Sequence, residues 1–209
     1  VQAGLDRACR DARRADRPML VAVSKTFAAD AIRPLIAAGQ RHFGENRVQE
    51  AAAKWPELLA EAPDITLHLV GRLQSNKAAE AVALFDVIHS VDRPSLVTAL
   101  AKAQAAANKH PACYLQVNIG DEEQKGGCAI ADLPALLAQA REAGLHIVGL
   151  MCVPPADVEP APYFALLAEH ARRLGLRGLS MGMSGDYETA ALLGSTVVRV
   201  GSALFGRRG

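Results

Sequence analysis

The sequence predicts an α/β fold, a single (β/α)8 barrel of the TIM type with one extra helix at its N-terminus. Three observations carry this prediction. Short runs rich in Val, Leu and Ile recur along the 209 residues. Each run is followed by a polar or Gly-containing loop and then by an Ala/Leu-rich stretch with helical spacing. The runs number eight, and eight parallel β-α units close naturally on themselves.

A helix over 4–15 is expected first, and strand one follows at 20–24 (LVAVS). The remaining strands read at 41–43, 67–70 (LHLV), 86–89, 113–118 (CYLQVN), 146–150 (HIVGL), 178–180 and 197–200 (VVRV). Helices fill the gaps at 29–38, 46–61, 75–83, 94–107, 131–143, 160–174 and 186–193. An open doubly wound sheet is the alternative, but no G-x-G-x-x-G follows the first strand, where a dinucleotide fold carries it. A barrel typically takes about 250 residues, with roughly 200 as its compact limit. One domain over 1–209 is therefore expected, with no room for another. The segment 152–162, with Pro154, Pro155, Pro160 and Pro162, reads as a stiff loop after strand six, a plain connector or a rigid lid edge.

Composition narrows the partners. Lys plus Arg (23) nearly balances Asp plus Glu (22), giving a formal charge of +1, so no global field draws the chain to nucleic acid or membrane. No apolar run approaches the roughly 20 residues of a membrane helix, and residues 1–18 lack the apolar centre of a secretory signal. The absence of an initiator Met reads as a trimmed or processed chain. Cys9, Cys113, Cys128 and Cys152 are scattered, which fits buried free thiols in a reducing compartment. A cytoplasmic protein with a small-molecule partner is expected.

In a β/α barrel the reactive residues of interest lie at the C-terminal strand ends. Lys25 ends LVAVSK there, where desolvation can make an amine nucleophilic; a solvated lysine opening a loop is the other reading. After strand seven, Ser184 and Gly185 open a helix and offer a hydroxyl and backbone N–H groups. After strand eight, Gly201 and Ser202 offer N–H groups that a ligand can approach closely. The loops after strands seven and eight often bind phosphate in barrels, so these two turns are read as one phosphate cup rather than as an N-cap and a tight turn. Asp186 and Glu188 would repel a phosphate and are expected to face solvent in structural roles.

Arg199 is a charge within the apolar VVRV, facing opposite Val198 and Val200 by the period of two. Buried there, it needs a partner, either an acid of the core or a ligand beyond Gly201. Asn46, Gln74 and Asn76 follow short strands and can orient a ligand or cap a helix; Ser75 is read as a cap. His42, His68 and His89 show no paired metal-ligand spacing and are read as core or supporting residues.

Together these segments resemble the pyridoxal phosphate homeostasis family, small barrels similar to the N-terminal domain of alanine racemase. The matching motifs are AVSKT (22–26), FGENxVQE (43–50), GxLQxNK (71–77), HSVD (89–92), QVN (116–118), GLM (149–151), SMGMSxDxxxA (180–190) and GSTxVRxGxxxFG (194–206) with the arginines after it. They cover nearly the whole chain in the right order. The resemblance implies a protein that holds, buffers or delivers pyridoxal 5'-phosphate (PLP) without evident catalysis. It implies Lys25 as the Schiff-base lysine, Ser184, Gly201 and Ser202 as phosphate holders, Arg199 at the pyridine nitrogen and Asn46 as a pocket residue. PLP-requiring apoenzymes are the implied recipients, and a monomer is expected.

Departures from the pattern are Arg47 in place of a common aromatic, Leu67 where Trp often precedes the strand histidine, and Ser202 in place of a frequent Thr. A racemase or decarboxylase of the same barrel type is one rival. Such enzymes carry a second, β-rich domain, whereas strand eight here is followed by nine residues and Tyr114, Tyr163 and Tyr187 offer no evident opposing base. A class I aldolase-like barrel is another rival; it accounts for Lys25 and the phosphate cup but not for Arg199.

Overall fold

In the computed structural model, which describes residues 1–206, parallel strands β1 to β8 close into a barrel in strict chain order. The strands are β1 (Met19–Val23), β2 (His42–Glu45), β3 (Thr66–Leu69), β4 (Val87–Val91), β5 (Ala112–Val117), β6 (His146–Cys152), β7 (Gly178–Ser180) and β8 (Val197–Val200). The helices are α1 (Gln2–Asp11), α2 (Ala29–Ala37), α3 (Val48–Glu61), α4 (Ala78–Leu84), α5 (Pro94–Ala107), α6 (Leu133–Glu142), α7 (Ala161–Arg173), α8 (Tyr187–Leu192) and α9 (Ser202–Phe205). The expected barrel and its leading helix are present. The arginines that follow Gly206 in the last motif lie outside the described residues.

Alternation along each strand separates two environments. Phe43 and Glu45 of β2 turn outward to α3, where the Phe43 ring lies 5.2 Å from that of Trp55 and Glu45 accepts the indole N–H. Such residues join the large cluster between strands and helices, centred on Trp55, Phe43, Phe85 and Phe164, all fully buried. Val21, Tyr114, Met151 and Val197 form a second cluster within the barrel. Closure sets Val21 beside Arg199 and Ala22 beside Val200.

Helix α1 lies over the seam between β1 and β8. Leu5 and Ala8 meet Leu20, Ala191, Val198 and Val200, and Arg7 pairs with Glu188 of α8 at 2.7 Å. Burying Leu5 in full contributes about 1.5–3 kcal/mol. The helix stops at Asp11, short of the expected residue 15, because Arg13 adopts φ 53, a left-handed conformation no helix can carry on. Other differences are of similar size: β2 runs on to Glu45 and β4 to Val91, and α9 was too short for hydrophobic period to reveal. None of the described helices is long and apolar enough to cross a membrane.

Candidate functional site at the barrel mouth

A cavity of about 690 Å³ opens at the C-terminal ends of the strands, and Lys25, Asn46, Ser184, Arg199, Gly201 and Ser202 all line it. The residues singled out from sequence thus converge on one space. Val23, Val70, Val153 and Met183 supply apolar walls, and Phe27, also lining the cavity, stacks on Phe205 with ring centres 4.6 Å apart. Val153 comes from the start of the proline-rich segment, so that loop contributes to the cavity wall.

Lys25 stands two residues past the end of β1 on a loop held from below. The Ser24 amide donates to Gly44 O at 2.9 Å, and Lys54 Nζ donates to both Ser24 O and Phe27 O at 3.0 Å. Thr26, with φ 69, is a β-branched residue in left-handed space, and its amide is held by Glu50 Oε1. Beneath the loop, Glu45 Oε1 accepts from Ser24 Oγ at 2.7 Å and from Trp55 Nε1 at 2.9 Å, and pairs with Lys54 at 2.8 Å. Glu45 is fully buried and Lys54 nearly so. This clamp was not anticipated from sequence, although Glu50 and Lys54 stand four apart on one face of α3 and Glu45 lies in the FGENxVQE motif.

Arg199 projects from β8 into the barrel and is buried. One guanidinium nitrogen donates to Ser180 Oγ at 2.6 Å and the other to Cys152 O at 2.9 Å. No carboxylate among the described residues lies within ion-pair distance of it, so the core-acid reading is set aside. Burial lowers its pKa from the usual arginine value, with Cys152, Asp186 and Tyr114 opposing the shift.

The turns after β7 and β8 are joined by a side chain. Ser184 Oγ accepts from the amides of Gly201 at 3.2 Å and Ala203 at 3.3 Å. The Gly201 N–H expected to point at a ligand therefore points at Ser184. Gly182, with φ +96, makes the turn after β7 that any side chain would strain, and a Cβ there would lie 2.5 Å from that of Ala190. Ser184 and Gly185 precede α8, which begins at Tyr187 rather than at 186. Asp186 accepts from the Met183 amide at 2.5 Å and Glu188 pairs with Arg7, so both are structural, although neither is fully exposed.

Asn46 lies after β2, close against Gly71, where any Cβ would sit 2.2 Å from Asn46 O. It does not cap α3, whose N-cap is Arg47. Gln74 and Asn76 are not among the residues lining the cavity. Ser75 makes no cap hydrogen bond; its hydroxyl accepts from Arg93 at 3.3 Å.

The histidines form a chain inside the barrel. His42 Nδ1 lies 3.1 Å from His68 Nε2, His68 Nδ1 lies 3.0 Å from His89 Nε2, and His89 Nδ1 lies 2.8 Å from Ser180 Oγ. Burial lowers the pKa of His42, brings that of His68 down to about 3 with help from His42, and depresses His89 well below the ordinary imidazole value. The described residues contain no group of three or more His, Cys, Asp or Glu suited to a metal ion. Burial also pushes the thiols of Cys113, Cys128 and Cys152 up to about 12, which leaves them unreactive.

Comparison with known proteins agrees with the barrel fold. The family model described as alanine racemase, N-terminal domain, matches residues 5–209. The chain is 43% identical to a pyridoxal phosphate homeostasis protein of Pseudomonas aeruginosa over 90% of this chain and 84% of that one. It is 38% identical to the protein of that name from Escherichia coli K12, over 96% and 90%. Among solved structures, PipY of Synechococcus elongatus PCC7942 without PLP is similar at 42% identity and TM-score 0.87, covering 97% of this chain and all of that one. PipY with PLP bound is similar at the same identity, with TM-score 0.83. An alanine racemase from Bartonella henselae shares the fold at 17% identity and TM-score 0.73, and this chain spans 62% of it. By sequence over most of its length and by the barrel itself, this chain belongs to the pyridoxal phosphate homeostasis proteins, built on the alanine racemase N-terminal domain.

Proposed function

We propose that this protein binds PLP covalently through Lys25 and buffers or delivers it to PLP-requiring apoenzymes, without turning over a substrate of its own. One observation carries the reading. A lysine on a clamped loop, a buried arginine with no carboxylate partner among the described residues, and the serine-bearing turns after β7 and β8 share one cavity. That donor set fits an anionic ligand with an aldehyde at one end and an acceptor nitrogen at the other. The relatives named above are called homeostasis proteins, and PipY has been solved with PLP.

When bound, PLP supplies an aldehyde that takes up an amine and an aromatic ring that accepts electrons. Lys25 provides the amine. Ser184 and Ser202 would hold the phosphate, with Gly201, whose N–H is engaged by Ser184, setting the turn beside it, and Asn46 would line the rim. Arg199, which can only donate, would suit an unprotonated pyridine nitrogen.

The non-catalytic part rests on what surrounds this cavity. Carbanion chemistry needs an acid or base on each face of the substrate. Tyr114 is stacked on His89 inside the barrel and Tyr187 donates to Glu188, and neither they nor Tyr163 are among the residues lining the cavity. We place the protein in the cytoplasm as a monomer; its four separate, buried cysteines support a reducing compartment.

The test is to load the purified protein with PLP, desalt it and record its spectrum. A near-stoichiometric visible imine band is expected. No band, with covalent trapping of a sugar phosphate instead, would favour the aldolase reading.

A further inference from the structure

A row of buried hydrogen bonds runs from Arg199 through Ser180, His89 and His68 to His42 at the start of β2. Ser180 and His89 are fully buried and His68 is 2% exposed, so each polar atom must find its partner within the row. His42 is half-buried and ends it. Nothing in the phosphate cup or the Lys25 loop requires these residues.

The row has a direction. A guanidinium can only donate, so Ser180 Oγ must accept from Arg199. Ser180 has one proton left to place, and among the described residues the acceptor at hand is His89 Nδ1, 2.8 Å away. If Nδ1 accepts, a neutral His89 carries its proton on Nε2 and donates it to His68 Nδ1. His68 then carries its own proton on Nε2 and donates to His42 Nδ1. The opposite direction would make all three rings Nδ1–H tautomers, with Ser180 accepting twice and its own proton buried without an acceptor. Such an orphaned group disfavours that arrangement by roughly ten- to hundredfold. Burial keeps His68 and His89 neutral, as one-way donation requires. Tyr114, stacked on His89 at 4.6 Å, holds the ring in plane.

We propose that Ser180, His89 and His68 are positioning residues which, polarised by Arg199, lock the histidines as Nε2–H tautomers and in turn fix the guanidinium as a donor at the cavity. This rests on the reading of Arg199 as a ligand contact. Because direction is set at the Arg199 end, damage there should spread along the row, whereas damage at His42 should not travel back.

The experiment is nitrogen-15 NMR of the histidine rings in the ligand-free protein at neutral pH. The expected result is protonated Nε2 and bare Nδ1 at all three rings. In Ser180→Ala the expected result is a tautomer mixture at His89 and His68, with PLP affinity about tenfold lower. Ser180→Thr, which keeps the hydroxyl, should restore both. In His42→Phe the expected result is an unchanged pattern at His68 and His89. An Nδ1–H tautomer or a cationic ring at His68 or His89 in the parent protein would overturn the proposal. So would an unchanged pattern or unchanged affinity in Ser180→Ala, or a flipped pattern in His42→Phe. A parent protein that takes up no PLP would overturn the proposed function, and the ligand-free spectra would still decide the row.

Discussion

The Gly201 amide donates to Ser184 Oγ at 3.2 Å, so one hydroxyl ties the turn after β8 to the turn after β7. If that hydroxyl also holds a phosphate, its loss removes a ligand contact and loosens the cup together. Ser184→Ala should therefore weaken PLP by about ten- to hundredfold, the value of one hydrogen bond to a charged group at roughly 1.5–3 kcal/mol. Pyridoxal without its phosphate should be barely affected. Ser202→Ala, on an exposed side chain of the same cup, should discriminate in the same direction. Parallel titrations of both ligands decide this, and equal weakening of the two would place the phosphate elsewhere.

Lys54→Met should be strongly destabilising. It leaves the fully buried Glu45 carboxylate without its cation and releases Ser24 O and Phe27 O beneath Lys25. Breaking one side of a buried pair costs about 3–5 kcal/mol, and replacing both sides with neutral groups costs less. The double variant Lys54→Met, Glu45→Gln should recover part of the loss in urea unfolding. A single variant within ~1 kcal/mol of the parent would show that the clamp matters little.

Stability should fall on acidification between about pH 6.5 and 3. His68, lowered to about 3, and His89, pushed well below the ordinary imidazole value, stay neutral in the fold, whereas in the unfolded chain they take up protons below 6.5. The unfolded state then binds more protons, so unfolding free energy rises with pH, by up to about 1.4 kcal/mol per pH unit for each ring. Above that window these rings add no pH dependence. Urea unfolding at several pH values measures the slope. His89→Asn should flatten it, and an unchanged slope in that variant would assign the acid loss to other groups.

The barrel and most of the cavity were legible in the chain because both depend on local order. Lys25 follows an apolar strand and Arg199 breaks one, so position along each strand placed them at the mouth or in the interior. The histidine row was not legible. Its members lie on β2, β3 and β4, and their contact depends on the register that sets His42 beside Thr66 and His68 beside Val87. Alternation says which way a side chain faces, not which residue meets it across a closed barrel. The Lys54–Glu45 clamp was hidden likewise, since a strand glutamate facing outward reads as solvated until α3 covers it. Ser184 was recognised as a polar group at the right turn, but its hydrogen bonds to the next turn needed the fold.

The PLP-loaded protein should show no enzyme-like exchange at the α-carbon of free amino acids. On the proposed reading Arg199, which can only donate, would leave the ring nitrogen unprotonated and so weaken the electron sink, and none of the tyrosines is among the cavity residues. Incubation with each amino acid in deuterated water, followed by NMR, is the measurement. Fast exchange that disappears in Lys25→Ala would make this protein an enzyme.

The central claim is covalent capture of PLP by Lys25, and borohydride reduction followed by peptide mapping tests it most directly. In the parent protein the account expects one reduced pyridoxyl group, on the peptide that carries Lys25. Lys25→Ala should fold as before, because the residue lies at the barrel mouth rather than in the packed layers, and should trap none. Trapping at the same stoichiometry in Lys25→Ala, or on a different lysine in the parent protein, would contradict the account.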